Sequence, residues 1–224
     1  MLVNELFNSI DGEGKRAGEL ATFIRVSGCN LRCSYCDSKY TWGKEGKEMS
    51  IGEIMDFVCS QGYYNITITG GEPLIYPEMR ELVDSLLSHG HNVNIETNGT
   101  INPVEFFGNL YDNPNLFITM DYKCACSGEE DKMDINNFYG LTTKDVLKFV
   151  VSNVEELEKA KEFMFDLATT KHNEDLPIVY FSPVFGRIEP KQIVEFMKKY
   201  RIDNHTRIQL QLHKYIWPPM MRGV

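Results

Sequence analysis

Residues 65–97 read NITITGGEPLIYPEMRELVDSLLSHGHNVNIET. Asn65–Thr69 alternates polar residues with β-branched ones and reads as a strand, closed by Gly70-Gly71. Pro77 opens a helix whose apolar residues Met79, Leu82, Val83, Leu86 and Leu87 recur at helical spacing, and Gly90 is a suitable stop for it. Asn92–Thr97 is then a second strand. A strand, a helix and a strand in this order form a crossover unit, which joins parallel neighbours in a sheet.

The same rhythm extends in both directions. Upstream, Ala21–Val26 reads as a strand, and Ser50-Ile51-Gly52-Glu53 is a capping box that opens a helix through about Ser60. Downstream, Pro103–Leu110 is a short helix and Leu116–Asp121 a strand. Asp145–Val151 is a strand, followed by a charged helix from Val154 to about Ala168. Ile178–Phe181, Pro190–Tyr200 and Arg207–Leu212 read as strand, helix and final strand. The pattern predicts an α/β protein with a parallel sheet and crossover helices. Six or seven strands are too few for a closed eight-stranded barrel, so a partial, open parallel β/α barrel in one domain over 1–224 is expected. Tyr122–Thr143, rich in Ser, Gly, Asp, Glu and Asn, breaks the alternation and reads either as a mobile surface insertion or as a functional loop.

Composition narrows the function classes. The chain of 224 residues is 42% hydrophobic and 25% charged, ordinary values for a globular protein, and its net charge of −9 argues against a uniformly basic nucleic-acid surface. The first ten residues include Asn4 and Glu5 and lack the basic region of a signal peptide, and no apolar run is long enough to span a bilayer. A cytoplasmic location without membrane or nucleic-acid partners is therefore expected. In a reducing compartment, Cys29, Cys33, Cys36, Cys59, Cys124 and Cys126 are metal ligands or buried thiols before they are disulfides. Cys59 falls in the apolar pattern of the helix after Ser50 and is expected to be buried. Trp42 and Trp217 fit core, interface or pocket wall equally well.

Cys29-Asn30-Leu31-Arg32-Cys33-Ser34-Tyr35-Cys36 has the spacing C-x3-C-x2-C and directly follows a predicted strand. Three thiolates so close in sequence can wrap one face of an iron–sulfur cubane and leave one iron open to a ligand. A zinc site completed by His213 or a distant cysteine is the alternative, although zinc sites more often use C-x2-C pairs. In the turn after Thr69, Gly70 and Gly71 let backbone approach a ligand, Glu72 can accept from an ammonium group and Pro73 fixes the exit.

The cysteine run followed by Thr69-Gly70-Gly71-Glu72-Pro73 resembles the radical S-adenosylmethionine (SAM) superfamily. That resemblance implies a [4Fe–4S] cluster on Cys29, Cys33 and Cys36, with SAM on the open iron. Ile10-Asp11-Gly12-Glu13-Gly14, Phe23-Ile24-Arg25, Cys36-Asp37-Ser38, Glu96-Thr97-Asn98-Gly99 and Gln209–Tyr215 together resemble the 7-carboxy-7-deazaguanine synthase family. The family resemblance implies a lyase of queuosine biosynthesis. It would convert 6-carboxy-5,6,7,8-tetrahydropterin to 7-carboxy-7-deazaguanine with loss of ammonia, supported by magnesium. It also implies a homodimer and a flavodoxin or ferredoxin as electron donor.

Site roles implied by the resemblance are these. Magnesium falls on Ser38, a residue that would otherwise read as a turn cap. SAM contacts fall on Tyr35, Cys36, Asp37, Gly71, Glu72, Glu96, Asp121, Tyr122, Lys123, Ser182, Pro183, Val184 and Phe185. Substrate contacts fall on Ile10, Asp11, Gly12, Arg25, Thr69 and His213. Arg25 suits a planar carboxylate, with a surface salt bridge as its plain alternative. His213 reads equally as an ordinary hydrogen-bonded histidine. No side chain is assigned a catalytic role. The chain departs from the family's pattern in three places. Asp11 stands where the family usually has Gln, losing the amide donor. Cys124-Ala125-Cys126 replaces a Pro and Ser, and reads as plain thiols. The chain continues past Pro219 to Val224, whereas some members end near Pro219 and use the terminal carboxylate. A glycyl-radical activase and a non-enzymatic iron–sulfur carrier are the competing functions.

Overall fold

The computed structural model describes residues 1–171, 175–202 and 205–224. Among the described residues, nine strands form one sheet: β1 (Leu2–Ile10), β2 (Leu20–Val26), β3 (Lys47–Glu48), β4 (Asn65–Gly70), β5 (Asn92–Thr97), β6 (Leu116–Lys123), β7 (Val146–Val151), β8 (Ile178–Pro183) and β9 (Thr206–Ile208). Their order is β3-β1-β2-β4-β5-β6-β7-β8-β9. From β2 through β9 every neighbour is parallel, giving the open partial barrel expected. The antiparallel β1 and β3 at one edge were not anticipated. LVNELFNSI has no clean alternation, and its burial is correspondingly uneven.

The alternation within the parallel strands separates two faces. Ile24, Ile66, Ile68, Val93, Ile95, Ile118, Met120, Leu147, Phe149 and Phe181 are wholly buried in one apolar core. The helices α1 (Ile51–Gln61), α2 (Met79–Ser88), α3 (Pro103–Phe107), α4 (Val154–Thr170) and α5 (Pro190–Tyr200) contribute to it with residues such as Ile54, Leu82, Phe107, Leu157 and Ile193. The alternate positions are polar: Thr67, Thr69, Asn94, Glu96, Thr119, Asp121 and Lys148. Because side chains point to opposite faces in turn, these polar residues share the face away from the helices.

α1 shows how locally the sequence is read. Ser50 accepts from the Glu53 N–H and Glu53 accepts from the Ser50 N–H, and Gly62 ends the helix with φ 73°. Its buried face is Ile54, Met55 and Val58. Cys59, one residue and about 100° further round, is exposed rather than buried.

Two further expectations are corrected. The final strand is shorter than expected and ends at Ile208; the Gln209 N–H still donates to Phe181 O at 2.9 Å, while its side-chain amide bonds the backbone of Gly14 in both directions, at 2.7 and 3.0 Å. The segment after β6 is not a mobile insertion. It takes the place of a crossover helix, with Phe138 and Leu141 wholly buried. Tyr122 lies 5.4–5.5 Å from the rings of Phe138, Phe149 and Phe163. Three short 3-10 turns, at Ala125–Ser127, Glu130–Lys132 and Ile135–Asn137, provide its local hydrogen bonding.

Candidate active site

A cavity of about 380 Å³ opens at the carboxyl ends of the parallel strands, where α/β folds place their ligands. β2 contributes Phe23 and Arg25, β4 Thr69 and Gly70, β5 Glu96, β6 Asp121 and Lys123, β7 Lys148, and β8 Ser182 and Pro183. The loop after β2 adds Cys29, Cys33, Tyr35, Cys36, Asp37 and Ser38. Ile10, Gly12, Gly71, Val184, Phe185 and His213 complete the expected residues that line it.

Three expected side chains do not. Asp11 is 2% exposed and is held by Arg16 Nε at 2.8 Å and by the Thr67 hydroxyl at 2.6 Å. Tyr122 is committed to the aromatic cluster described above. Glu72 is wholly buried, and its carboxylate accepts from the N–H groups of Leu74 and Asn98 and from the Thr97 hydroxyl. It therefore ties the ends of β4 and β5 together instead of presenting a free acceptor for an ammonium group. The glycines before it also have a backbone reason. A Cβ on Gly71 would stand 1.8 Å from the Gly28 carbonyl oxygen, and one on Gly70 would stand 2.1 Å from that of Val26. Both let the turn lie directly against the base of the cysteine loop.

All six cysteines are free thiols. Burial pushes Cys33 up to about 11 and raises Cys29. These two are therefore protonated at neutral pH in the metal-free chain and do not behave as activated nucleophiles. Among the described residues, no group of three His, Cys, Asp or Glu is arranged to hold one metal ion. A cubane makes a different demand, since each of its three ligated irons takes its own thiolate. Three thiols on one cavity wall fit that requirement. The segment after β6 holds their loop in place: Ser34 N–H donates to Ser127 O at 2.9 Å, Ser34 Oγ to Cys126 O at 2.6 Å, and Arg32 N–H to the Glu129 carboxylate. Cys124 is buried and Cys126 half-buried, and neither lines the cavity.

A chain of buried charges crosses the cavity floor. Lys123 pairs with Asp121 at 2.8 Å, Asp121 with Lys148 at 3.0 Å, Lys148 with Glu13 at 2.7 Å, and Glu13 accepts from Gln211 at 2.5 Å. Burial alone would lower Lys148, but Asp121, Glu13 and Glu96 around it raise it well above the usual lysine range. Burial works against Asp121 and Glu13 as well, but their lysines keep both below the ordinary carboxylate range. Among the described residues Glu96 has no lysine within ion-pair distance, and the attraction of Lys148 does not offset its burial. Burial pushes it up to about 7, and the Thr69 hydroxyl donates to one of its oxygens at 2.7 Å.

At the mouth, Asp37 pairs with Lys214 at 2.8 Å. That lysine outweighs the burial effect and brings Asp37 down to about 2. Ser38 precedes a 3-10 turn, but its side chain makes no cap bond and donates instead to Asp37 at 3.2 Å. The His213 ring packs on Gly12, and burial lowers its pKa. It makes no hydrogen bond to the described residues, unlike the ordinary bonded histidine considered above. Trp42 proves to be a pocket wall, with Arg32 5.3 Å and Lys39 5.6 Å from its ring centre.

Lys148, Glu13 and Gln211 were missed from the sequence. Lys148 had a legible signal, a lone lysine inside the strand VLKFVV. Glu13 and Gln211 lie in loops and had none beyond their motifs.

Comparison with known proteins adds a separate line of support. Residues 23–122 match the radical SAM superfamily. The chain is similar to the 7-carboxy-7-deazaguanine synthase of Clostridium acetobutylicum, with 44% identity over 99% of this chain and 98% of that one. A protein of the same name from Koribacter versatilis is 35% identical over the whole of both chains. Among solved structures, QueE from Escherichia coli shares the fold with a TM-score of 0.71 at 24% identity, over 93% of this chain and 92% of that one.

Proposed function

The chain belongs to the 7-carboxy-7-deazaguanine synthase family of radical SAM enzymes, and from that premise we propose that it converts 6-carboxy-5,6,7,8-tetrahydropterin to 7-carboxy-7-deazaguanine with loss of ammonia. The observation that carries this reading is one cavity in which the three cysteines, the glycine turn, Arg25, Thr69 and Ser38 meet. When bound, the [4Fe–4S] cluster and SAM supply hydrogen-atom abstraction at C6 of the pterin, the step that opens the way to ring contraction.

Cys29, Cys33 and Cys36 would hold the cluster. Tyr35, Asp37, Gly71, Glu96, Asp121 and Lys123 would contact SAM, with Ser182, Pro183, Val184 and Phe185 from the same cavity. Arg25 receives the substrate carboxylate as a planar fork, and Thr69, Ile10, Gly12 and His213 border the ring. Lys148, locked between Glu13 and Asp121, keeps the floor rigid, so a polar substrate meets preformed partners. The raised pKa of Glu96 lets it hold or accept a proton near neutral pH. Ser38 offers magnesium a single hard oxygen, in keeping with that ion's preference for few protein ligands alongside substrate oxygens and water. The chain works as one radical SAM domain and a homodimer in the cytoplasm, and a flavodoxin or ferredoxin supplies the electron.

The test is incubation of the reconstituted, reduced protein with SAM, magnesium and the carboxylated pterin. Carboxydeazaguanine should accumulate over many turnovers while SAM is recovered unchanged. SAM cleavage without that product would overturn the assignment. Replacing any one of the three cysteines by Ala should abolish the cluster's iron and sulfide content.

A further inference from the structure

The cations around the cavity differ in how fully they are committed. Lys123, Lys148 and Lys214 each face a carboxylate at 2.7–3.0 Å, and burial disfavours the charged form of His213. Two arginines keep unused donors. Arg25, on β2, gives its Nε to Glu5 Oε2 at 2.9 Å, directly across the strand pair, and its terminal amino groups make no bond to the described residues. Alone, the Arg25–Glu5 pair is electrically neutral and a poor receptor for an anion. Arg222 changes that balance. It lines the same cavity, and its Nε lies 3.1 Å from Glu5 Oε1. Its Nη2 donates to Asn4 at 3.1 Å, and its guanidinium carbon sits 3.7 Å from the centre of the Tyr40 ring. The Tyr40 hydroxyl also donates to Glu5, at 3.2 Å.

We propose that Arg222 and Arg25, bridged by Glu5, form a paired carboxylate receptor that makes the site select pterins bearing a ring carboxylate. The inference rests on the pterin reading above and adds the residues that decide substrate class. Glu5, Arg25 and Arg222 together carry one net positive charge, which one carboxylate neutralises. Guanidinium forks suit that planar group and keep their charge at every working pH. Arg222 is 52% exposed, so its bond to Glu5 adds little to fold stability. Its importance lies in the charge it places at the mouth.

The test compares 6-carboxy-5,6,7,8-tetrahydropterin with 5,6,7,8-tetrahydropterin, by equilibrium binding to the reconstituted, SAM-loaded protein and by KM for the carboxylated compound. Arg222→Gln should weaken binding of the carboxylated pterin about tenfold, equivalent to about 1.4 kcal/mol. It should raise KM more than it lowers kcat and leave binding of the uncarboxylated pterin unchanged. Arg222→Lys should recover part of the loss. An equal loss for both pterins would mean that residues 218–224 act by packing, and no loss for either would mean a surface ion pair, so each outcome sinks the proposal. Wild-type protein that fails to bind the carboxylated pterin would overturn the pterin reading and this proposal with it.

Discussion

At the residue scale, burial decides what each ionisable group in the cavity can do. Asp121 and Glu96 sit on adjacent strands at the same end of the sheet, yet their pKa values move in opposite directions. Asp121 has two lysines within 3.0 Å, whereas Glu96 has one hydroxyl. The Glu96 shift predicts a pH effect. Its folded pKa lies above its unfolded one, so its contribution is fully present below about 4.5 and is lost as pH rises through about 7. The stability difference between wild type and Glu96→Gln, measured by denaturant unfolding of the metal-free protein, should therefore shift against wild type across that window. The slope should be of order 1 kcal/mol per pH unit. A flat difference would mean that Glu96 titrates normally.

At the element scale, the glycine turn and the segment after β6 act on the cysteine loop from two sides. Gly71 touches the Gly28 carbonyl, and Glu72 N–H donates to that same oxygen at 2.8 Å. A methyl group at position 71 meets backbone, which cannot rotate out of the way. Gly71→Ala should cost at least about 1–3 kcal/mol, read as a lower unfolding midpoint, and should reduce the iron bound per chain after reconstitution. On the other side, Glu156 at the start of α4 accepts from Cys126 N–H at 2.6 Å and from Ser152 N–H at 2.7 Å. It thereby fixes the stretch that holds Arg32 and Ser34. This stretch looked loop-like because its residues favour turns. Its order comes from the burial of Phe138 and Leu141, and the ring partners of Phe138, Tyr122 on β6 and Phe163 on α4, are close only after folding.

At the scale of the whole molecule, the β1–β2 connection organises both ends of the open barrel. Glu13 and Gly14 reach across to Lys148, Gln209 and Gln211. Arg16 passes inward and donates to the carbonyls of Asn92 and Ile66 and to the Thr67 hydroxyl. Asp11 is its counter-ion, and burial raises Asp11 and lowers Arg16, so the pair has little net benefit over an apolar replacement. Removing one partner is different, because a buried charge is left alone. Asp11→Ala should cost about 3–5 kcal/mol, and Arg16→Met added to it should recover part of that loss in the same unfolding assay. The sequence by itself determined the parallel strands, their helices and the cysteine loop, and its family motifs named most of the residues that line the cavity. Each of these rests on local spacing, alternation or a short motif. Only the tertiary structure decided that Asp11, Glu72 and Tyr122 turn away from the cavity, and that Glu13, Lys148, Gln211 and Arg222 line it. Those outcomes depend on pairings between residues as far apart as 217 positions, Glu5 with Arg222, and nothing in the local chain encodes which distant charge a side chain will meet.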